Sequence, residues 1–239
     1  MRPTHRHDGA PSAGRLALLY DLVSDVPCER LVDIGSDHAT VPIAALTAGI
    51  CRTALLTDVR PGPLATARRL VSDAGLLDRC AFAQTDGLTG LQLTEDDVVL
   101  ISGMGGETIA PMLAAPSAMR SRPKRWILQP QTHEEVVRDA MCRLGLPISD
   151  ERFVVDNDRV YLVIVSDRGD RAVERLTPLE RYLGPVTLRR RTAPDAGGDR
   201  AARTAYLRKR RRRLEKAAPF DPDARALLEA WPDPASPKV

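Results

Sequence analysis

Arg30-Leu31-Val32-Asp33-Ile34-Gly35-Ser36-Asp37-His38 is the stretch on which the fold turns. Apolar and β-branched positions run into an acid, then a glycine, then a polar triplet. Ala39 to Ala48 follows with the composition of a helix. This pattern predicts a parallel strand buried on both faces, a tight turn and a helix opening at the turn. In open α/β sheets, ligands sit at the carboxyl ends of such strands. Gly35 permits a positive φ or a close backbone approach. Asp33 at the strand tip is a carboxylate suited to hydroxyls, an ammonium or a sulfonium. The structural alternative is that Asp33 and Asp37 only cap the helix.

The pattern repeats. A second strand, Thr53 to Thr57, ends in Asp58, and an acid there can accept hydrogen bonds from ribose hydroxyls. Pro61 to Ala74 reads as a helix stopped by Gly75. A third strand, Cys80 to Gln84, ends in Thr85-Asp86-Gly87-Leu88, and Asp86 can accept from an exocyclic amine. A fourth, Val98 to Ser102, ends in Gly103-Met104-Gly105-Gly106, before a helix from Glu107 to Ala114. A fifth, Arg125 to Leu128, ends in Gln129-Pro130-Gln131-Thr132, before a helix from His133 to Leu144. Ile148 to Val155 and Val160 to Val165 then flank Asp156-Asn157-Asp158 as a β-hairpin. Upstream, Arg15 to Val23 reads as an amphipathic helix with Ser12 as its cap.

A chain of 239 residues with 43% hydrophobic content has room for one α/β domain and an appendage. Its net charge of +3 hides an asymmetry. Arg171 to Lys216 holds 15 Lys+Arg against 5 Asp+Glu, leaving 20 basic and 27 acidic residues elsewhere. An acidic body with a basic arm points to a polyanionic partner; the alternative is a solvated Arg-rich helix. The arm opens with a helix start at Thr177-Pro178-Leu179-Glu180 and a break at Gly184-Pro185. A loop from Arg189 to Asp199 leads to a helix from Arg200 to Ala217, with Ala201, Ala205, Leu207 and Leu214 as a thin apolar stripe. That helix pairs with Ala224 to Trp231 as a helical hairpin.

Cys28, Cys51, Cys80 and Cys142 form no C-x-x-C pair. They read as buried or free thiols of a reducing cytoplasm, with no disulfide and no metal site. No apolar run is long enough for a transmembrane helix. Residues 1–14 read as a disordered tail in which His5 and His7 have no metal role. The expected organisation is therefore this tail, a catalytic domain over 15–168 and a basic helical region over 169–239.

Absence of G-x-G-x-x-G after the first strand argues against a pyrophosphate cofactor, and absence of G-x-x-x-x-G-K-[ST] against a P-loop. S-adenosylmethionine carries a sulfonium and no phosphate, so acidic strand ends suit it. The paired late strands also fit a class I methyltransferase: a Rossmann-like seven-stranded sheet, α/β, with a small helical C-terminal extension.

Asp33-Ile34-Gly35-Ser36-Asp37-His38-Ala39, Asp86-Gly87-Leu88, Gly103-Met104-Gly105-Gly106 and Leu128-Gln129-Pro130 together resemble the bacterial tRNA (adenine(22)-N(1))-methyltransferase family. The resemblance covers about residues 15 to 166, with Leu183-Gly184-Pro185 a weaker echo. It implies S-adenosyl-L-methionine as cofactor and N1 of an adenine in the D-arm region of tRNA as acceptor. Asp33, Gly35, Ser36 and His38 would line the cofactor's methionine end, Asp58 would hold its ribose, and Asp86 and Gly87 would lie by its adenine. Gly103 would close the cofactor site, while Met104, Gly105, Gly106, Gln129 and Pro130 would border the acceptor base. Asp37, with Asp33 second, is the candidate to stabilise the cationic ring that N1 methylation creates. Arg208, Arg210, Arg211 and Arg212 would hold phosphates. The chain departs from the family at Gln131, where Asn is frequent, and in its short, Arg-rich arm. Two rival readings are a methyltransferase acting on another RNA, a protein or a small molecule, and a non-catalytic RNA-binding protein.

Overall fold

The computed structural model describes residues 10–116, 118, 122–169, 175–190 and 199–232. Most of the N-terminal tail, including His5 and His7, and most of the Arg189–Asp199 loop lie outside the described residues.

Seven strands form one sheet: β1 (Cys28–Ile34), β2 (Cys51–Asp58), β3 (Cys80–Gln84), β4 (Asp97–Met104), β5 (Arg125–Pro130), β6 (Asp150–Asp156) and β7 (Arg159–Asp167). Their order is β3-β2-β1-β4-β5-β7-β6. The first five are parallel, and β7 is antiparallel to both β5 and β6. The chain reverses from β1–β3 to β4 beside β1, so the strand-end crevice opens between those two halves. The hairpin turn is two residues long, Asn157 and Asp158, both at positive φ as a type I′ turn demands.

Side-chain alternation along β1 divides the core. Leu31 joins Leu56, Leu100 and Val163 beneath α1 (Gly14–Ser24), α2 (Thr40–Thr47) and α3 (Pro61–Asp73). Val32 and Ile34 join Val99, Ile101 and Leu128 on the other face. That face is covered by α4 (Gly106–Leu113), α5 (Glu134–Arg143) and part of the C-terminal region. Truncating Leu31, fully buried in this layer, costs about 2–5 kcal/mol.

The C-terminal region folds as α6 (Pro178–Leu183), α7 (Pro185–Arg189), α8 (Arg200–Ala217) and α9 (Pro222–Glu229). Thr177 and Glu180 complete a reciprocal capping box at the start of α6. A fully buried ion pair docks this region. Arg138 of α5 donates to Glu151 of β6 at 2.7 Å, and neither side chain is exposed. Arg138 also donates to the carbonyls of Arg181, Tyr182 and Leu183 at the end of α6. Glu151 accepts from the backbone N and Oγ1 of Thr187 in α7. A Cβ on Gly184 would strike that carboxylate, which accounts for the glycine at the break. Burial opposes the Arg138 charge, but Tyr206 and Glu151 outweigh it and raise its pKa.

Three expectations need correction. Cys28 and Cys51 form a disulfide, because parallel pairing sets them opposite one another on β1 and β2 with Cα atoms 4.6 Å apart. Cys80 and Cys142 take no part in a disulfide. Ser12 is not the cap of α1: Ala13 holds that position, and the Arg15 backbone N donates to Asp156 Oδ2 at 3.0 Å. The inward face of α8 is Ala202, Arg203, Tyr206, Arg210 and Leu214, so of the apolar stripe the sequence suggests Leu214 is buried, Ala205 and Leu207 are half-buried and Ala201 is exposed. No helix among the described residues is long and apolar enough to cross a membrane.

Candidate active site

The turn after β1 is fastened to β2. Gly35 N and Ser36 N both donate to the Thr57 carbonyl at 2.8 Å, with Gly35 at φ 82°. Asp33 is thereby held under the turn, and Ser36 Oγ donates to its Oδ2 at 2.6 Å. Burial pushes the Asp33 carboxyl up to about 6, and the Ser36 hydrogen bond only partly opposes it. Neither Asp33 nor Asp37 caps α2. The cap is Ala39, in a left-handed conformation with no side-chain bond. Asp37 and His38 project outward, 3.4 Å apart, both more than half exposed.

Asp33, Gly35, Ser36, Asp37, His38 and Gly103 line one cleft of about 370 Å³. Asp58 and Asp86 do not line it; they stand on the same edge of the sheet, at the ends of β2 and β3. Asp58 Oδ1 accepts from Arg60 N at 2.8 Å, which fixes its carboxylate. Asp86 is exposed, and Gly87 beside it is buried at φ 56°.

The Gly103–Gly106 loop interlocks with the segment after β5. Gln131 N donates to the Met104 carbonyl and Gly106 N to the Thr132 carbonyl, each at 2.8 Å. A Cβ on Gly106 would collide with the His133 carbonyl, so only glycine lets the loops approach this closely. Gln129 is fully buried, and its Oε1 accepts from Gly103 N at 3.1 Å while its Nε2 donates to the Pro130 carbonyl at 3.0 Å. Its expected position bordering an acceptor is therefore corrected: its polar atoms are spent fixing the loop, and Gln131 is the residue that faces open space.

Arg15 is a site residue that sequence reading missed. From the first turn of α1 it lines the same cleft, donates to Gln129 Oε1 at 3.0 Å and lies over the Tyr161 ring at 5.7 Å. The sequence marks it only as one cation opening an apolar helix.

Arg210 also departs from expectation. It is 4% exposed, paired with Glu134 at 3.0 Å and Glu135 at 2.9 Å, and stacked 3.6 Å from the Tyr182 ring. Its α8 neighbours Arg208, Arg211 and Arg212 face solvent, with Arg211 paired to Glu215. An interior arginine so engaged is not available to phosphate.

Residues 13–164 match the family described as Methyltransferase domain. The chain belongs to that family. Around the methyltransferase domain the relatives are specific. The tRNA (adenine(22)-N(1))-methyltransferase of Bacillus subtilis (strain 168) is 33% identical over 141 residues, 59% of each protein. The sequence match thus spans under two thirds of that relative's length. The crystal structure of the B. subtilis M1A22 tRNA methyltransferase TrmK is 25% identical with a TM-score of 0.66, covering 88% of this chain and 92% of that one. M. capricolum TrmK, solved with the cofactor product S-adenosyl-homocysteine, is 22% identical with a TM-score of 0.68, covering 88% and 91%. Structural likeness therefore extends over more of the chain than sequence likeness does.

Proposed function

We propose that the chain is an S-adenosylmethionine-dependent tRNA methyltransferase acting on N1 of adenine 22. The observation that carries this reading is the acidic strand-end cleft beside an interlocked glycine loop, with a basic helix on the same side of the molecule. The donor set fits the cofactor: carboxylates at three consecutive strand ends and no phosphate-cradling loop. The relatives named above are tRNA methyltransferases, and one was solved with the cofactor's product.

S-adenosylmethionine supplies an electrophilic methyl group when bound. Asp33 holds the cationic methionine end, Ser36 orients that carboxylate, and the Asp58 oxygen not used by Arg60 accepts from ribose. Asp86 and Gly87 flank the adenine of the cofactor. Adenine N1 carries a lone pair, so the acceptor needs no base. Asp37, on the cleft rim, stabilises the positive charge that develops on the ring. Alignment of the reacting atoms is the enzyme's main contribution. N1 lies on the Watson–Crick edge, so the target base must leave its stack. Transfer takes place in the cytoplasm with tRNA as partner, and the exposed arginines of α8 hold its phosphates.

The test is incubation with methyl-labelled cofactor and unmodified tRNA, then digestion to nucleosides. Label in 1-methyladenosine, lost when adenine 22 is replaced, is the expected result. Cofactor binding without label in tRNA would move the substrate to another RNA or a protein.

A further inference from the structure

A second cleft, of about 460 Å³, lies beside the first. Its inner wall includes Gln131 and His133, its outer wall Arg159 and Tyr161 of β7, and its rim Lys209 and Arg213 of α8. Gln131 lines both clefts. So does one stacked pair: Arg15 faces the first cleft, and the Tyr161 ring beneath it faces the second. The partition between the clefts is therefore a glutamine and an arginine–tyrosine stack, all groups suited to a nucleobase.

The charges are as informative. Arg159, Lys209 and Arg213 are exposed, and among the described residues they form no ion pair. Among the described residues Glu134 is the one carboxylate lining the cleft, and Arg210 occupies it. Lys209 and Arg213 also line the groove shared by Arg208, Arg212 and Lys216 on the outside of α8. A positive track thus runs from the outer face of α8 into the cleft and ends at Gln131. Arg159 reaches it from the hairpin, which α8 packs against, so the cations come from two separate elements.

We propose that this second cleft seats the RNA strand at the target nucleotide. Arg159, Lys209 and Arg213 take the flanking phosphodiesters, Tyr161 offers its ring face to a base next to the target, and Gln131 stands between that neighbour and the first cleft, which the target base itself enters. The assignment rests on the functional reading above and adds the substrate path to it. Three cations converging on an aromatic wall suit a single strand better than a duplex, because a stacking surface serves only an unstacked base.

The experiment uses the full chain and a fluorescently labelled unmodified tRNA, with binding followed by anisotropy between about 50 and 300 mM salt. R159Q/K209Q/R213Q is compared with wild type and with R69Q, a charge removed from the opposite face of the sheet. Loss of three phosphate contacts flattens the slope of log K against log[salt] by about 2, and one contact by about 0.7. The triple variant should show the first and R159Q alone the second. Methyl transfer to tRNA should fall at least about tenfold in the triple variant while its cofactor affinity stays at the wild-type value. R69Q should keep the wild-type slope. A wild-type slope and rate in both cleft variants would overturn the proposal, as would wild-type protein that binds no RNA. A flattened slope together with no label at adenine N1 would keep the cleft and remove only the adenine reading.

Discussion

Ser36 Oγ donates to Asp33 Oδ2 at 2.6 Å, and this bond is the main polar support of a carboxyl that burial pushes up to about 6. The sign of the consequence is fixed. A folded pKa above the unfolded value, about 4, means the folded state binds the proton more tightly. Asp33 therefore contributes stability that is full below pH about 4 and lost as pH rises through about 6. D33N removes this dependence and keeps an acceptor for Ser36. In urea titrations at several pH values it should gain on the wild type between pH 4 and 6, reaching about 3 kcal/mol above that window. The proposed hold on a cationic methionine end needs the ionised form. Wild-type cofactor affinity should thus climb with pH to about 6 and then level, whereas D33N should bind weakly at every pH. Equal stabilities across the window would show that Asp33 ionises freely in the folded chain.

Glu151 is a buried carboxylate with a buried partner: Arg138 donates to it at 2.7 Å, and neither side chain is exposed. E151A leaves an uncompensated guanidinium and strips Thr187 of its acceptor, at a cost of about 3–5 kcal/mol. R138M removes the cation and also abandons the three carbonyls at the end of α6. The paired replacement R138M/E151L should therefore recover part of the loss from E151A without reaching the wild type. Chemical denaturation of the three variants checks the order. A double variant no better than E151A would mean that the carbonyls, rather than the ion pair, anchor the C-terminal helices.

Arg210 and its α8 neighbours should separate by assay. R210A leaves Glu134 and Glu135 facing Tyr182 without their shared cation, so stability should fall by about 2 kcal/mol. Burial alone would raise the Glu135 pKa; the Arg210 guanidinium brings it below its ordinary value, and R210A releases it. R208A/R212A should change stability by no more than about 0.5 kcal/mol, because both side chains face solvent. Its effect should appear instead as a shallower salt dependence of tRNA binding. Equal stability losses in the two variants would remove the distinction between inner and outer arginines.

Local pattern carried most of the fold. Leu31-Val32 before Asp33-Ile34-Gly35 placed the central strand, and Asn157-Asp158 placed the hairpin, since each depends on a few adjacent residues. Pairings across the chain were hidden. Cys28 and Cys51 are 23 residues apart, and only the β1–β2 register brings them together. Arg210 sits inside a run of six basic residues that looks uniformly solvated. Which of them turns inward is decided by Glu134, Glu135 and Tyr182, on elements whose packing no local pattern reveals. Arg15 and Tyr161 were missed for the same reason: one opens the first helix, the other lies in a late strand, and their contact is purely tertiary. Motifs at strand tips were legible because the tip is itself a local feature.

Asp58 combines a local and a ligand-directed role, and two substitutions resolve them. One carboxylate oxygen holds the turn into α3 through Arg60 N. The other is the proposed ribose acceptor. D58N keeps an oxygen for the Arg60 amide but presents a neutral group to the ribose, whereas D58A removes both. Acceptance by a charged carboxylate oxygen is stronger than acceptance by a neutral amide, because hydrogen bonds to a charged group are worth about 1.5–3 kcal/mol. Calorimetric titration with the cofactor should thus show a loss of about tenfold or more in D58N and a further loss in D58A. Binding of tRNA, read separately by anisotropy, should stay unchanged in D58N, since Asp58 lines neither the Gln131 cleft nor the α8 groove. Wild-type cofactor affinity in D58N would reduce Asp58 to a turn residue and pass the ribose to another group at the end of β2.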